Sequence, residues 1–140
     1  MKERLPVFVY GTLLPGHYNH DRLLHGHFED STPAVLSDYD LHFAYGDGGF
    51  PAIRKGTGRV KGVLFYLTPA EYEARMVHLD RLEGYYAKAE EASMYLRRKA
   101  TVLCQDGTHR QAWVYIWNRH RIGAAIENGD YNNPIIVARG

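Results

Sequence analysis

Residues 68–84 run Thr68-Pro69-Ala70-Glu71-Tyr72-Glu73-Ala74-Arg75-Met76-Val77-His78-Leu79-Asp80-Arg81-Leu82-Glu83-Gly84. This is the clearest helix in the chain. Thr68 suits the N-cap, Pro69 the first helical position, and Glu71 completes a capping-box pattern. Tyr72, Met76 and Leu79 recur at helical spacing, so one face is apolar. Gly84 is placed to end the helix in the left-handed conformation. One more helical step along the apolar stripe lands on Glu83, which sets a carboxylate on the face that should point inward. Glu83 also lies in the last turn, at the negative end of the helix macrodipole. Burial and that dipole both disfavour the charged form, so both raise its pKa and suit it to general acid and base work. Asp80, three residues earlier, either adds like-charge pressure or points to solvent. The competing reading of Glu83 is an exposed glutamate at a frayed helix end.

Strand signals lie on both sides of this helix. Leu5 to Tyr10 is a continuous apolar run, β-branched and aromatic, too short for a helix and suited to a buried strand. Tyr39 to Tyr45 and Val60 to Leu67 read as further strands, with Gly46-Asp47-Gly48-Gly49 as a turn and Phe50-Pro51-Ala52-Ile53 resuming after it. After the helix, Ser93 to Cys104 and Arg110 to Trp117 read as two strands joined through Asp106-Gly107, a hairpin signal. A short helix is expected near Asp21 to His25, and Asn128-Gly129-Asp130 marks a turn in the tail. Strands, one good helix, then strands predict an α+β domain on a mixed or antiparallel sheet, closed into a barrel in one version.

The 140 residues suit one domain over 1–140, and 45% are hydrophobic, enough for a core. The net charge of +1 sets up no field for nucleic acid or an anionic membrane. Arg97-Arg98-Lys99 and Arg119-His120-Arg121 are read as solvated or locally paired. Cys104 is the single cysteine, so no intrachain disulfide can form. It reads as a buried structural thiol rather than a nucleophile. No leader pattern or long apolar run occurs, which makes a cytoplasmic protein the expectation. His17, His20, His25 and His27 are close in sequence, but their spacing fits no zinc signature, so no metal is expected. Hydrolase-elbow, phosphate-loop and dinucleotide fingerprints do not occur.

Tyr10-Gly11-Thr12-Leu13 is the second chemical feature. A buried strand that ends in a glycine turn can expose successive backbone N–H groups, and such a concave nest holds a carboxylate or an oxyanion. A plain strand-ending turn is the alternative. Tyr115, in the run Ala112 to Trp117, is expected to have its ring inside.

Taken in order, these pieces resemble the γ-glutamylcyclotransferase-like family, which includes γ-glutamylamine cyclotransferases and small bacterial relatives. The resemblance rests on Val7 to Leu13, Phe50 to Ile53, Val63 to Leu67 and Leu79-Asp80-Arg81-Leu82-Glu83-Gly84-Tyr85. Tyr95 with Arg97, the strand Ala112 to Tyr115, and Gly129-Asp130-Tyr131 complete it. It implies a compact mixed β-barrel with flanking helices. It also implies a reaction: the free α-amine of a γ-glutamyl-amine or peptide attacks its own γ-carbonyl, giving 5-oxoproline and a free amine, with no cofactor. By this resemblance Glu83 is the catalytic acid/base, the backbone of Tyr10, Gly11, Thr12 and Leu13 holds the glutamyl group, and Tyr115 lies near the substrate. The partner is then a small γ-glutamyl molecule, with no nucleic acid or membrane; the oligomeric state is left open. A protein of the same fold that binds a small ligand or partner without turnover is the alternative.

Overall fold

A computed structural model describes residues 4–136. The order is β1 (Val7–Val9), α1 (Tyr18–Leu23), β2 (Phe28–Tyr45), β3 (Gly48–Leu67), α2 (Tyr72–Glu83), β4 (Tyr95–Cys104) and β5 (His109–Trp117), with one-turn 3-10 helices at Pro69–Glu71 and Glu90–Ala92. The strands close into a barrel in the order β1-β3-β2-β4-β5. All pairs are antiparallel except β1 with β5, which run parallel and meet at Val7 and Trp113. The mixed α+β barrel expected from the sequence is what forms.

β1 is apolar throughout because both of its faces are covered. Phe8 and Tyr10 turn one way, into a cluster with Leu36, Leu64, Val102, Ala112 and Val114 that fills the barrel. Val7 and Val9 turn the other way, against Leu24, Tyr72, Met76 and Leu79 of the helical layer. The same alternation along β5 sends Ala112 and Val114 inward and Tyr115 and Trp117 under the helices.

β2 and β3 form one long hairpin, and here the structure is more regular than the sequence suggested. Tyr45 pairs with Gly48, so Gly46-Asp47 alone makes the turn, and Gly48 and Gly49 are already strand. β2 begins at Phe28, eleven residues ahead of the expected start at Tyr39. Its first third, Phe28-Glu29-Asp30-Ser31-Thr32-Pro33, is largely polar because its side chains are mostly exposed. Pro33 is tolerated because β2 pairs with β4 only at Ala34 and Val35.

α1 covers Tyr18–Leu23 rather than the expected Asp21 to His25. The capping box at Thr68 does not form: Thr68 makes no side-chain cap, and the Glu71 carboxylate instead meets the His27 imidazole at 3.1 Å. Residues 69–71 are wound as a 3-10 turn, and the α-helix proper starts at Tyr72. Its other end matches the reading. The Gly84 N–H donates to the Arg81 carbonyl (3.2 Å) and the Tyr85 N–H to the Asp80 carbonyl (2.9 Å), with Gly84 at φ 63°. The charged stretch before β4 is tied down by Glu90, which takes two bonds from the Arg98 guanidinium (2.8 and 2.9 Å) and one from the Tyr85 hydroxyl (2.9 Å). No helix among the described residues is long and apolar enough to cross a membrane.

Candidate active site

The glycine turn is built by close packing. A Cβ on Gly11 would lie 2.0 Å from Cγ of Pro51, so only glycine lets the chain leave β1 against β3. The Leu14 N–H then donates to the Gly11 carbonyl (2.9 Å) and closes the turn. Among the described residues, the N–H groups of Gly11, Thr12 and Leu13 donate to no protein acceptor. Donors left open on a cavity wall in this way are free to meet an outside acceptor.

Two neighbours on α1 hold the turn in place. Asn19 Nδ2 donates to Thr12 Oγ1 (3.0 Å), and His20 Nδ1 lies 3.0 Å from the Leu13 carbonyl oxygen. A carbonyl only accepts, so the His20 proton is on Nδ1. His20 is buried, and this structural bond is its role. His17 lies 2.7 Å from the Asn132 side chain. No group of three or more metal-ligating side chains occurs among the described residues.

Glu83 comes from the opposite side. α2 buries Tyr72, Met76 and Leu79 against the barrel, and the next helical step carries Glu83 into the same cavity. Protein surrounds Glu83 on nearly every side, yet it is not among the fully buried core residues, because its remaining surface opens on the cavity. No described residue donates a hydrogen bond to its carboxylate. Burial, and secondly the Asp80 carboxylate, push its pKa from 4.5 to about 8. The negative end of the helix dipole acts in the same direction.

Asp80 does not point freely to solvent. It accepts a hydrogen bond from the Tyr115 hydroxyl (2.6 Å) and pairs with Arg97 Nε (3.2 Å). Burial raises its pKa, and those two donors oppose the rise. The Arg97 guanidinium is itself sandwiched over the Trp113 and Tyr85 rings, 4.7 and 5.5 Å from their centroids. Two carboxylates three residues apart therefore meet different surroundings, one without a donor and one with two.

A cavity of about 650 Å³ lies between the turn and the helix end. It is lined by all six residues singled out from the sequence: Tyr10, Gly11, Thr12, Leu13, Glu83 and Tyr115. Tyr10 and Tyr115 have their hydroxyls committed, Tyr10 to the Tyr115 carbonyl (2.6 Å) and Tyr115 to Asp80, so they present mainly ring surface. Pro51, Tyr95 and Tyr131, which entered the family resemblance without a site role, and Asn19, which the sequence did not single out, also line the cavity. The Tyr95 hydroxyl donates to the Pro51 carbonyl and the Tyr131 hydroxyl to the Gly49 carbonyl (2.7 Å).

Comparison with known proteins bears on the fold and the family. The family model described as "Gamma-glutamyl cyclotransferase, AIG2-like" matches residues 7–133. A Vibrio cholerae protein named "Putative gamma-glutamylcyclotransferase" is 32% identical over 130 residues, covering 89% of this chain and 93% of that one. Among solved structures, a mouse AIG2-like protein superposes with a TM-score of 0.61 at 23% identity, covering 82% of this chain and 78% of its own. An uncharacterised protein of Pyrococcus horikoshii gives 0.59 at 20% identity, covering 91% and 90%. With the fold, the family model and a relative of matching length in agreement, the chain belongs to the gamma-glutamyl cyclotransferase, AIG2-like family.

Proposed function

We propose that this protein converts a γ-glutamyl-amine or γ-glutamyl peptide to 5-oxoproline and a free amine, with Glu83 as acid and base. One observation supports this reading above the others. A carboxylate with a raised pKa and no hydrogen-bond donor shares a cavity with a turn of open backbone N–H groups.

In this scheme the amides of Gly11, Thr12 and Leu13 hold the anionic oxygens of the glutamyl group. Held there, the α-nitrogen lies within reach of its own γ-carbonyl, so the reaction is intramolecular and needs mainly orientation. The α-ammonium is not a nucleophile until Glu83 takes a proton from it. The freed nitrogen attacks the γ-carbonyl carbon, a C–N bond forms, and charge gathers on the carbonyl oxygen. Glu83 returns its proton to the leaving nitrogen as the old C–N bond breaks. The ring nitrogen passes its second proton through the same carboxylate to the released amine, so an ammonium enters and an ammonium leaves. Asp80 and Tyr115 position the helix end and set the charge beside Glu83.

The test is a panel of γ-glutamyl-amines and γ-glutamyl dipeptides assayed for 5-oxoproline release. Release from at least one class supports the reading. Binding without release across the panel replaces it with a non-catalytic ligand-binding protein of the same fold.

The pH dependence gives a second expected result. A base is active when deprotonated, so kcat/KM should rise with pH through the Glu83 pKa, near 8. Asp80→Asn removes the smaller of the two causes of the elevation. The rising limb should move to lower pH while burial keeps it above the ordinary carboxylate range. An unmoved limb in Asp80→Asn would assign it to the substrate ammonium instead of Glu83.

A further inference from the structure

The cavity is charged at one end only. Among the described lining residues Glu83 is the only ionisable acid or base titrating below the tyrosines, and no Lys or Arg is present. Beyond the glycine turn the wall is Phe50, Pro51, Leu82, Met94 and Tyr95. This wall continues outward as a run of aromatic contacts. Trp117 meets Tyr95 edge-on at 5.2 Å between centroids, and Tyr45 meets both Phe50 (5.7 Å) and Trp117 (5.6 Å) in the same manner. Tyr45 is 56% exposed and Phe50 38%, although both are large and apolar. They sit at the tip of the β2–β3 hairpin, which β-pairing holds in register on both sides of the turn. Exposed aromatic surface continuous with a cavity marks a place where a ligand's apolar part rests.

We infer that this aromatic shelf is the leaving-group subsite, and that it selects amines bearing an uncharged aryl group over amino acids with a free carboxylate. The inference rests on the proposed cyclisation and names its substrate class. Charge complementarity carries it. The described lining offers one nest of open N–H groups, at Gly11 to Leu13, and the glutamyl carboxylate uses it. A second carboxylate, on a departing amino acid, would enter an apolar wall with no cation to meet it, a costly burial. The basic run Arg119-His120-Arg121 does not line the cavity, and Arg119 donates to the Ala92 carbonyl at 3.3 Å. An aryl ring, by contrast, finds ring edges and faces already fixed, and loses little freedom on binding.

Three substrates separate the components: γ-glutamyl-phenethylamide, γ-glutamyl-phenylalanine and γ-glutamyl-ethylamide. The first and second differ by the carboxylate, and the first and third by the ring. The phenethylamide should exceed each of the others in kcat/KM by roughly 10-fold or more. In Tyr45→Ala and in Phe50→Ala, the ratio between phenethylamide and ethylamide should fall toward 1. Both side chains are solvent-exposed in part, so their truncation leaves the core intact. Equal turnover of phenethylamide and phenylalanine conjugates overturns the inference, and so does equal turnover of phenethylamide and ethylamide. If nothing in the wider panel of γ-glutamyl-amines and dipeptides releases 5-oxoproline, the cyclisation reading fails separately. Calorimetric binding of the same three compounds then decides the shelf, which requires the same order in Kd.

Discussion

Glu83→Gln should lower kcat for 5-oxoproline release by about 10³-fold, with KM changed little. Glutamine keeps the shape of the side chain and the helix end, and the glutamyl group remains held by the Gly11 to Leu13 amides. What is lost is the site that takes a proton from the ammonium and returns it to the leaving nitrogen. The same substitution should stabilise the protein, and the sign follows from the pKa. A carboxylate raised from 4.5 to about 8 binds its proton more tightly in the folded state than in the unfolded chain. Its unfavourable contribution is therefore absent below about pH 4.5, grows as pH rises between the two values, and is complete above about 8. Glutamine, never charged, escapes it. Thermal unfolding of Glu83→Gln against wild type should show little difference at pH 4.5 and a gain of a few kcal/mol at pH 9, allowing for cavity water that screens the charge. Full activity in this variant sinks the mechanism. An equal Tm at both pH values would mean that Glu83 is solvated and its pKa ordinary. The opposed signs matter because a merely structural glutamate would lose stability and activity together.

The helix end that carries this residue was legible from residues 68–84 because its signals are local. The stripe Tyr72, Met76, Leu79 and the glycine at 84 depend only on helical period and backbone conformation, and both appear as expected. β1 was legible for a similar reason, since burial on two faces leaves no polar position in the run. The start of β2 was not, because Asp30, Ser31 and Thr32 owe their strand conformation to pairing with Tyr66, Phe65 and Leu64 across the hairpin. The capping box failed in the same way: Glu71 had a local partner in Thr68 but took His27, a residue forty-four positions away. The site shows the same division. Glu83 and the Gly11 turn could each be picked out from their own neighbourhoods. The fate of Asp80 could not, because Tyr115 and Arg97 reach it from β5 and β4, and nothing local announces that they will. The same holds for Pro51, whose importance lies in what it touches.

That contact carries the second large effect. Gly11→Ala should reduce kcat/KM by about 10²-fold, chiefly through KM, and cost about 1–3 kcal/mol of stability. An alanine Cβ at this position would meet Pro51 Cγ at 2.0 Å and Cδ at 2.9 Å. The proline ring is rigid, lies within β3, and its carbonyl accepts the Tyr95 hydroxyl, so it has little room to retreat. The turn must move instead, and with it the open N–H groups of Gly11, Thr12 and Leu13. A displacement of even 1 Å there misplaces the glutamyl group relative to Glu83. Thr12→Val is the contrasting variant: it removes the Asn19 contact at Oγ1 but adds no clash, and its effect should be within a few-fold. Gly11→Ala combined with Pro51→Ala should recover part of both stability and KM, a coupling that independent sites would not show. Wild-type KM in Gly11→Ala alone would remove the turn from the substrate site. Recovery in the double variant would assign the loss to close packing rather than to glycine's backbone freedom, because position 11 remains an alanine throughout.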